Sequence, residues 1–216
     1  MERLAAALAH EIRNPIAAAK SLVGQIAEDP SQPEVPEYAR VAQAELDRVE
    51  GSIAHLLRFA REEPFAPREV RSTEILDEAI AAAKERMGGV RVARDEDPCT
   101  LRADPDKLKR VLVNLLVNAA DAVRALPDAE AQVRLESGTS LDGTAAWFRV
   151  RDGGAGISDA LREQVFQPWV THKDAGTGLG LPIPRKLCEA HGGSLEIEQS
   201  SPQGTTMLVT LPRGLA

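Results

Sequence analysis

Leu8-Ala9-His10-Glu11-Ile12-Arg13-Asn14-Pro15 opens a pattern that sets the architecture of the first part of the chain. Leu8, Ile12, Pro15, Ala19, Leu22 and Ile26 follow one another at alternating steps of four and three residues, the heptad seam of a coiled coil or helical bundle. With Leu8 and Ile12 in the seam, His10 falls on the side turned away from it, and Asn14 lies one turn further along that side. A histidine kept for packing would sit in the seam. The segment thus presents a potential nucleophile, His10, a potential base, Glu11, and a carboxamide, Asn14. A lone surface histidine is most often only that, so the assignment needs support from elsewhere in the chain.

A second seam follows the first. Ala42, Leu46, Val49, Ile53, Leu56 and Ala60 repeat the same spacing. Between the two lies Asp29-Pro30-Ser31-Gln32-Pro33-Glu34-Val35-Pro36, whose prolines and polar residues interrupt a helix. The reading is an antiparallel helical hairpin over residues 1–63. Two helices cannot enclose a core, so their seams need partners: a symmetric dimer forming a four-helix bundle is the economical solution, and packing on a second domain of the same chain is the alternative. Pro64 and Pro67 mark a linker over 64–69.

The 216 residues carry a net charge of −7 and only 3% aromatic side chains, which provides neither the basic footprint nor the stacking surface of a nucleic-acid binder. The two cysteines, Cys99 and Cys188, have no metal-ligand spacing and fit a reduced, cytoplasmic setting. No apolar run has the length of a membrane span, so no membrane contact is expected from this segment. The heptads begin with the first residues, which suggests a portion of a longer protein whose membrane attachment is open.

Beyond the linker, residues 70–216 alternate between helix and strand. Thr73 to Arg86, Asp104 to Leu126, Ser158 to Phe166 and Pro182 to His191 read as helices. Val90 to Ala93, Gln132 to Glu136, Ala146 to Arg151, Ser194 to Gln199 and Thr206 to Leu211 read as strands. The expectation is an α/β sandwich with about five strands, in a domain of the usual size of about 150 residues.

Its long helix carries an apolar stripe of Leu108, Leu112, Leu115, Ala119 and Leu126 and, opposite, Lys107, Arg110, Asn114, Asn118 and Asp121. Asparagine is a poor helix-interior residue, because its amide competes for backbone hydrogen bonds. Two of them one turn apart are either a solvated face or carboxamide oxygens facing a hard cation and phosphates. Asp152-Gly153-Gly154-Ala155-Gly156 ends a strand with an acceptor and glycines that let a flat ligand approach the backbone; a tight turn would use the same residues. Gly176-Thr177-Gly178-Leu179-Gly180-Leu181 precedes a helix and offers free N–H groups to anionic oxygens, with Lys173 upstream as a possible positive charge. It matches neither the Walker nor the Rossmann pattern. Each motif alone is ambiguous; their order is specific.

In that order, and over nearly the whole chain, the sequence resembles the catalytic core of two-component sensor histidine kinases of the nitrogen-regulation type. His10 to Pro15 resembles the phosphoacceptor box, Asn114-Leu115-Leu116-Val117-Asn118-Ala119 the asparagine box, and Asp152 to Gly156 the first glycine box. Phe166-Gln167-Pro168-Trp169 resembles the phenylalanine box, Gly176 to Leu181 the second glycine box and Gly204-Thr205 the last. The resemblance implies an α+β chain: a dimerising phosphotransfer hairpin followed by an ATP-binding α/β sandwich of the Bergerat, or GHKL, fold. It implies His10 as the phosphorylated residue and Glu11 as the base, with Asn118 on Mg²⁺ and Asn114 nearby on the phosphates of ATP. Asp152 would bind the adenine amino group, with Thr205 supporting that end, and Gly154 and Gly156 would shape the turn. Lys173 and the segment Gly176, Thr177, Gly178, Leu179 and Gly180 would close over the phosphates. The partner would be a response-regulator receiver domain. The Glu11-x-x-Asn14 spacing further implies dephosphorylation of that regulator, with the Asn14 carboxamide orienting a water; the rival role for Asn14 is to set up the Pro15 kink.

Four departures stand out. Asp121 occupies a position where many relatives have a basic or aromatic phosphate contact, Trp169 stands where Phe is usual, Gly154-Ala155 replaces Asn-Pro and so implies a looser turn, and Pro182 and Pro184 open the following helix. Of the other histidines, His55 lacks a comparable box, His172 falls in the lid region and His191 closes a helix. Two alternatives are a non-kinase ATPase of the wider Bergerat group and a catalytically inactive nucleotide-binding scaffold.

Overall fold

The computed structural model describes the backbone of residues 2–60, 64–124, 126, 131–168 and 180–214, and their side chains except those of residues 2–11, 52 and 54–60. The chain divides into two compact units, Met1–Glu63 and Pro64–Ala216.

The first unit is a pair of helices, α1 (Glu2–Glu28) and α2 (Val35–Ala60). The break between them is local chemistry. The Asp29 carboxylate accepts from the Ser31 backbone N–H at 3.1 Å and its hydroxyl at 2.7 Å, an Asx turn that competes with the helix, and Pro30 removes the next amide donor. Pro36 falls in the first turn of α2, where a missing N–H costs nothing. Pro15, inside α1, is buried against the hairpin, as are Ala19, Ala42 and Val49. Two of the four described positions of the expected second seam behave otherwise. Leu46 is 49% and Ile53 40% exposed, joined by Ile16 at 44% and Val23 at 55%. Two helices bury one strip against each other; the remaining apolar strip stays on the outside.

The second unit is built on a five-stranded mixed sheet. Strands β1 (Arg68–Arg71), β2 (Arg91–Glu96), β3 (Thr100–Ala103), β4 (Gln132–Thr139), β5 (Ala145–Asp152), β6 (Ser194–Ser201) and β7 (Gly204–Pro212) alternate with α3 (Ser72–Ala83), α4 (Pro105–Val123), α5 (Asp159–Arg162) and α6 (Pro182–Ala190). The large sheet has the order β2-β4-β5-β7-β6, with β2 parallel to β4 and every other pair antiparallel. α4 lies on β4 and β5, and α6 lies on β6. Leu108, Leu112, Leu115 and Leu116 of α4 meet Val133, Leu135, Phe148, Val150, Val209 and Leu211 in one core.

Seven strands are present among the described residues, against the expectation of about five. β1 and β3 form a separate antiparallel pair, Arg68 opposite Ala103, and each has only four residues. In β1 the only buried side chain is Val70, so no period-2 pattern could emerge from Arg-Glu-Val-Arg. Strand β1 begins at Arg68, inside the segment 64–69 read as linker. The short helix expected over Ser158 to Phe166 is a single α-turn, after which Gln164 and Val165 both donate to the Leu161 carbonyl.

Candidate nucleotide site

Strand alternation places the first site residue. In β5, Ala146, Phe148, Val150 and Asp152 share the face covered by helices, so Asp152 is a carboxylate at the end of an apolar row, 8% exposed. Its Oδ1 accepts from the Gly154 N–H at 2.9 Å and from the Thr205 N–H at 3.3 Å. Thr205 stands directly across from Asp152 in the β5–β7 register. Among the described residues these bonds fall on Oδ1, which leaves Oδ2 for a ligand donor. Burial pushes the Asp152 carboxyl above the usual carboxylate range, against the smaller opposite pull of the two amides.

Glycines are required where the chain passes close to itself. At Gly204, with φ of 133°, a Cβ would lie 2.0 Å from the Asp152 carbonyl oxygen, and at Gly156, with φ of 75°, 2.0 Å from that of Ser201. A Cβ on Gly154 would lie 2.8 Å from Ala122 of α4, so the turn after Asp152 runs directly beneath that helix. The turn is not loose, although Gly154-Ala155 implied it: Gly154 is tied to Asp152, and the Ile157 N–H donates to Ser200 Oγ at 2.7 Å. Ser200 Oγ also lies 3.3 Å from Thr205 Oγ1. Ser200 is a site-supporting residue that sequence reading missed; its position opposite Thr205 in the β6–β7 pair is the signal that could have found it.

The asparagines of α4 face the same region. Asn118 is half-buried, and a Cβ on Gly180 would be 3.2 Å from its Oδ1 and Nδ2, so the last glycine of the Gly176–Leu181 motif lies against Asn118. Asn114 donates its Nδ2–H to the Arg110 carbonyl at 2.9 Å, which uses an amide donor and keeps the carboxamide oxygen as an acceptor. Asp121 pairs with Arg124 at 3.0 Å. Lys107 departs from this stripe. It is buried, with Nζ 2.9 Å from the Pro64 carbonyl oxygen and 3.5 Å from Asp104 Oδ2.

Asn118, Gly180, Ala122, Gly154, Asp152 and Thr205 are therefore linked in space, along one side of α4 and the end of the sheet beneath it. The side chains of His10 and Glu11 lie outside the described residues, as do Lys173, Gly176, Thr177, Gly178, Leu179 and Trp169; Asn14 is exposed on α1. Among the described residues no three His, Cys, Asp or Glu side chains gather as a metal cage. The donor set suits a hard cation that arrives with phosphate and keeps its waters, as Mg²⁺ does, rather than one held by protein alone.

Residues 103–215 match the family model described as histidine kinase-, DNA gyrase B-, and HSP90-like ATPase, and residues 1–65 match the His Kinase A (phospho-acceptor) domain. The chain belongs to the sensor histidine kinases. This histidine kinase core is 30% identical over 213 residues to the signal transduction histidine-protein kinase AtoS of Escherichia coli K12, covering 97% of the chain and 34% of that protein. It is 32% identical over 217 residues to the sensor histidine kinase ZraS of Salmonella typhimurium, covering 98% of the chain and 46% of that protein. The chain thus spans less than half the length of these relatives. Among solved structures, the mycobacterial sensor histidine kinase MprB aligns with a TM-score of 0.60 at 26% identity, over 70% of the chain and all of that structure. The histidine kinase ThkA, solved in complex with the response regulator protein TrrA, shares the fold at a TM-score of 0.71 and 24% identity, over 98% of this chain and 61% of that one. No helix among the described residues of this histidine kinase core is long and apolar enough to cross a membrane.

Proposed function

We propose that this chain phosphorylates its own His10 from ATP and passes the phosphoryl group to an aspartate of a response-regulator receiver domain. One observation carries the reading: a phospho-acceptor segment bearing His10-Glu11 and an ATPase-type site built around buried Asp152 occur in one chain. Residues 1–63 then serve as the dimerisation and phosphotransfer hairpin, 64–69 as the linker, its last two residues already in β1, and 70–216 as the ATP-binding domain.

The chemistry follows from the residues. Asp152 Oδ2 accepts from the adenine amino group, while Thr205 and Gly154 hold the carboxylate in place. Asn118 would hold Mg²⁺ through its carboxamide oxygen, with Asn114 on the phosphates, and the ion would offset charge on the transferring group. Lys173 and the Gly176, Thr177, Gly178, Leu179 and Gly180 backbone close over the phosphates. A neutral His10 nitrogen attacks the γ-phosphorus, the bond to the β–γ bridging oxygen breaks, and ADP leaves. Glu11 takes the imidazole proton. Transfer to the regulator breaks the N–P bond and forms an aspartyl phosphate. Asn14, exposed on α1, supports a second activity in which its carboxamide orients a water toward that phosphate. Asn14→Ala is expected to lower release of phosphate from a phosphorylated receiver domain by about tenfold or more while His10 labelling persists; unchanged release removes Asn14 from that role.

The unburied strip of Ile16, Val23, Leu46 and Ile53, each pair seven residues apart, supports a homodimer through the hairpin. A two-fold interface places Leu46 twice, so Leu46→Glu loses about 3 kcal/mol or more of apolar burial, over a hundredfold in the dimer Kd. Sedimentation equilibrium measures this; an unchanged Kd would sink the assignment.

Incubation with γ-labelled ATP and Mg²⁺ tests the whole reading. Acid-labile, alkali-stable label on the protein is the expected result. Phosphate release without labelling points to an ATPase, and neither outcome to a scaffold.

A further inference from the structure

The N-terminus of α4 is tied to the segment that enters the second unit. Asp104 caps the helix by accepting from the Lys107 N–H through Oδ1 at 3.2 Å. Its Oδ2 accepts from the Ala66 N–H at 3.0 Å, and Lys107 Nζ reaches both the Pro64 carbonyl oxygen and Asp104 Oδ2. Phe65, between them, stacks edge-on against His191 with ring centroids 4.8 Å apart. His191 is held in turn: its Nε2 accepts from the Asp104 N–H at 3.0 Å, which leaves Nδ1 as the donor to the Leu187 carbonyl at 2.7 Å. Burial alone would raise the Asp104 carboxyl. The Ala66 and Lys107 amides and the Lys107 charge outweigh it and hold the group below the usual range, so the carboxylate that binds the linker is ionised. Three consecutive residues, Pro64 to Ala66, are thus gripped by buried polar groups whose helix-capping duty needs none of them.

We propose that Asp104 and Lys107 clasp the linker and thereby set the length of the tether between hairpin and ATP-binding domain, acting as positioning residues for phosphoryl transfer to His10. This rests on the kinase reading above. With the clasp closed, the tether runs from Ala60 to Pro64 and spans at most about 14 Å whatever its conformation. With the clasp open, the first fixed point becomes β1 at Arg68, and the reach doubles to about 28 Å. Doubling a tether lowers the effective concentration of one domain at the other by about threefold.

The full chain tests this with two changes: Lys107→Met, which keeps the helix and the aliphatic stem, and four Gly/Ser residues inserted between Arg61 and Glu62 with the clasp intact. In Lys107→Met the Ala66 amide exchanges with solvent about tenfold faster, and kcat for His10 labelling falls about threefold at unchanged KM for ATP. The insertion leaves Ala66 protected and lowers kcat by a similar factor. Unaltered Ala66 exchange in Lys107→Met, an unaltered kcat in either variant, or a raised KM with kcat intact overturns the tether role. A wild-type chain that never labels His10 defeats the kinase reading itself, and the positioning role with it.

Discussion

His10→Gln takes up no acid-labile phosphate from γ-labelled ATP, a loss of more than about a thousandfold, and still binds ATP as the wild type does. Glutamine keeps a polar side chain of similar reach on α1 but has no nitrogen with a nucleophilic lone pair. The residues proposed to hold the nucleotide, Asp152, Asn118 and Thr205, all belong to the other unit, so affinity for ATP has no reason to change. Nor does the histidine that closes α6 offer a bypass. His191 is 2% exposed, and both of its ring nitrogens are engaged, with the Asp104 amide and the Leu187 carbonyl. Labelling with γ-labelled ATP, followed by acid and alkali treatment, measures the outcome; alkali-stable label persisting in His10→Gln would place the phosphoacceptor elsewhere.

Asp152→Asn separates binding from stability. An Asn can still accept from the Gly154 and Thr205 amides through its one oxygen, but it turns an NH₂ where the carboxylate would receive the adenine amine. A hydrogen bond to a charged group is worth about 1.5–3 kcal/mol, so ATP affinity drops about 10- to 150-fold by isothermal titration. The unliganded protein responds in the opposite direction. Since folding raises the Asp152 pKa, the folded state resists ionisation: its favourable contribution is complete below pH 3.8 and lost as pH rises through the folded value. Once pH exceeds that folded value the wild type carries a buried charge, and there Asp152→Asn melts at a higher temperature. A lower Tm together with unaltered ATP affinity would remove Asp152 from the site.

How far the sequence carried the architecture depended on periodicity. The long α4 was legible because Leu108, Leu112 and Leu115 repeat at helical spacing behind a capping Asp104, and β5 because Ala146, Phe148 and Val150 alternate with polar neighbours. The same alternation, extended by one step, places Asp152 under the helices, so that part of the site was legible too. What escaped was non-local. Nothing near Lys107 in sequence tells that its ammonium is buried against the Pro64 carbonyl; on a helical wheel it belongs with Arg110 and Asn114. Ser200 joins the site only through strand pairing with Thr205. Leu46 and Ile53 follow the same heptad as Ala42 and Val49, and a one-dimensional spacing does not say which of these positions is covered within the hairpin and which stays exposed.

The strand order has a further consequence, for where molecules of this kind meet. β2 and β6 are the outer strands of the described sheet, the positions at which a foreign strand could pair. They are guarded. β2 bears Arg91, Arg94, Asp95 and Glu96, and β6 bears Glu196 and Glu198 together with an irregular register between Ile197 and Gln199. Pairing β6 with a second copy of itself would crowd its glutamates and meet that kink. These borders work against fibrous, open-ended stacking, which favours the proposed closed, two-fold contact through the apolar side of the helices.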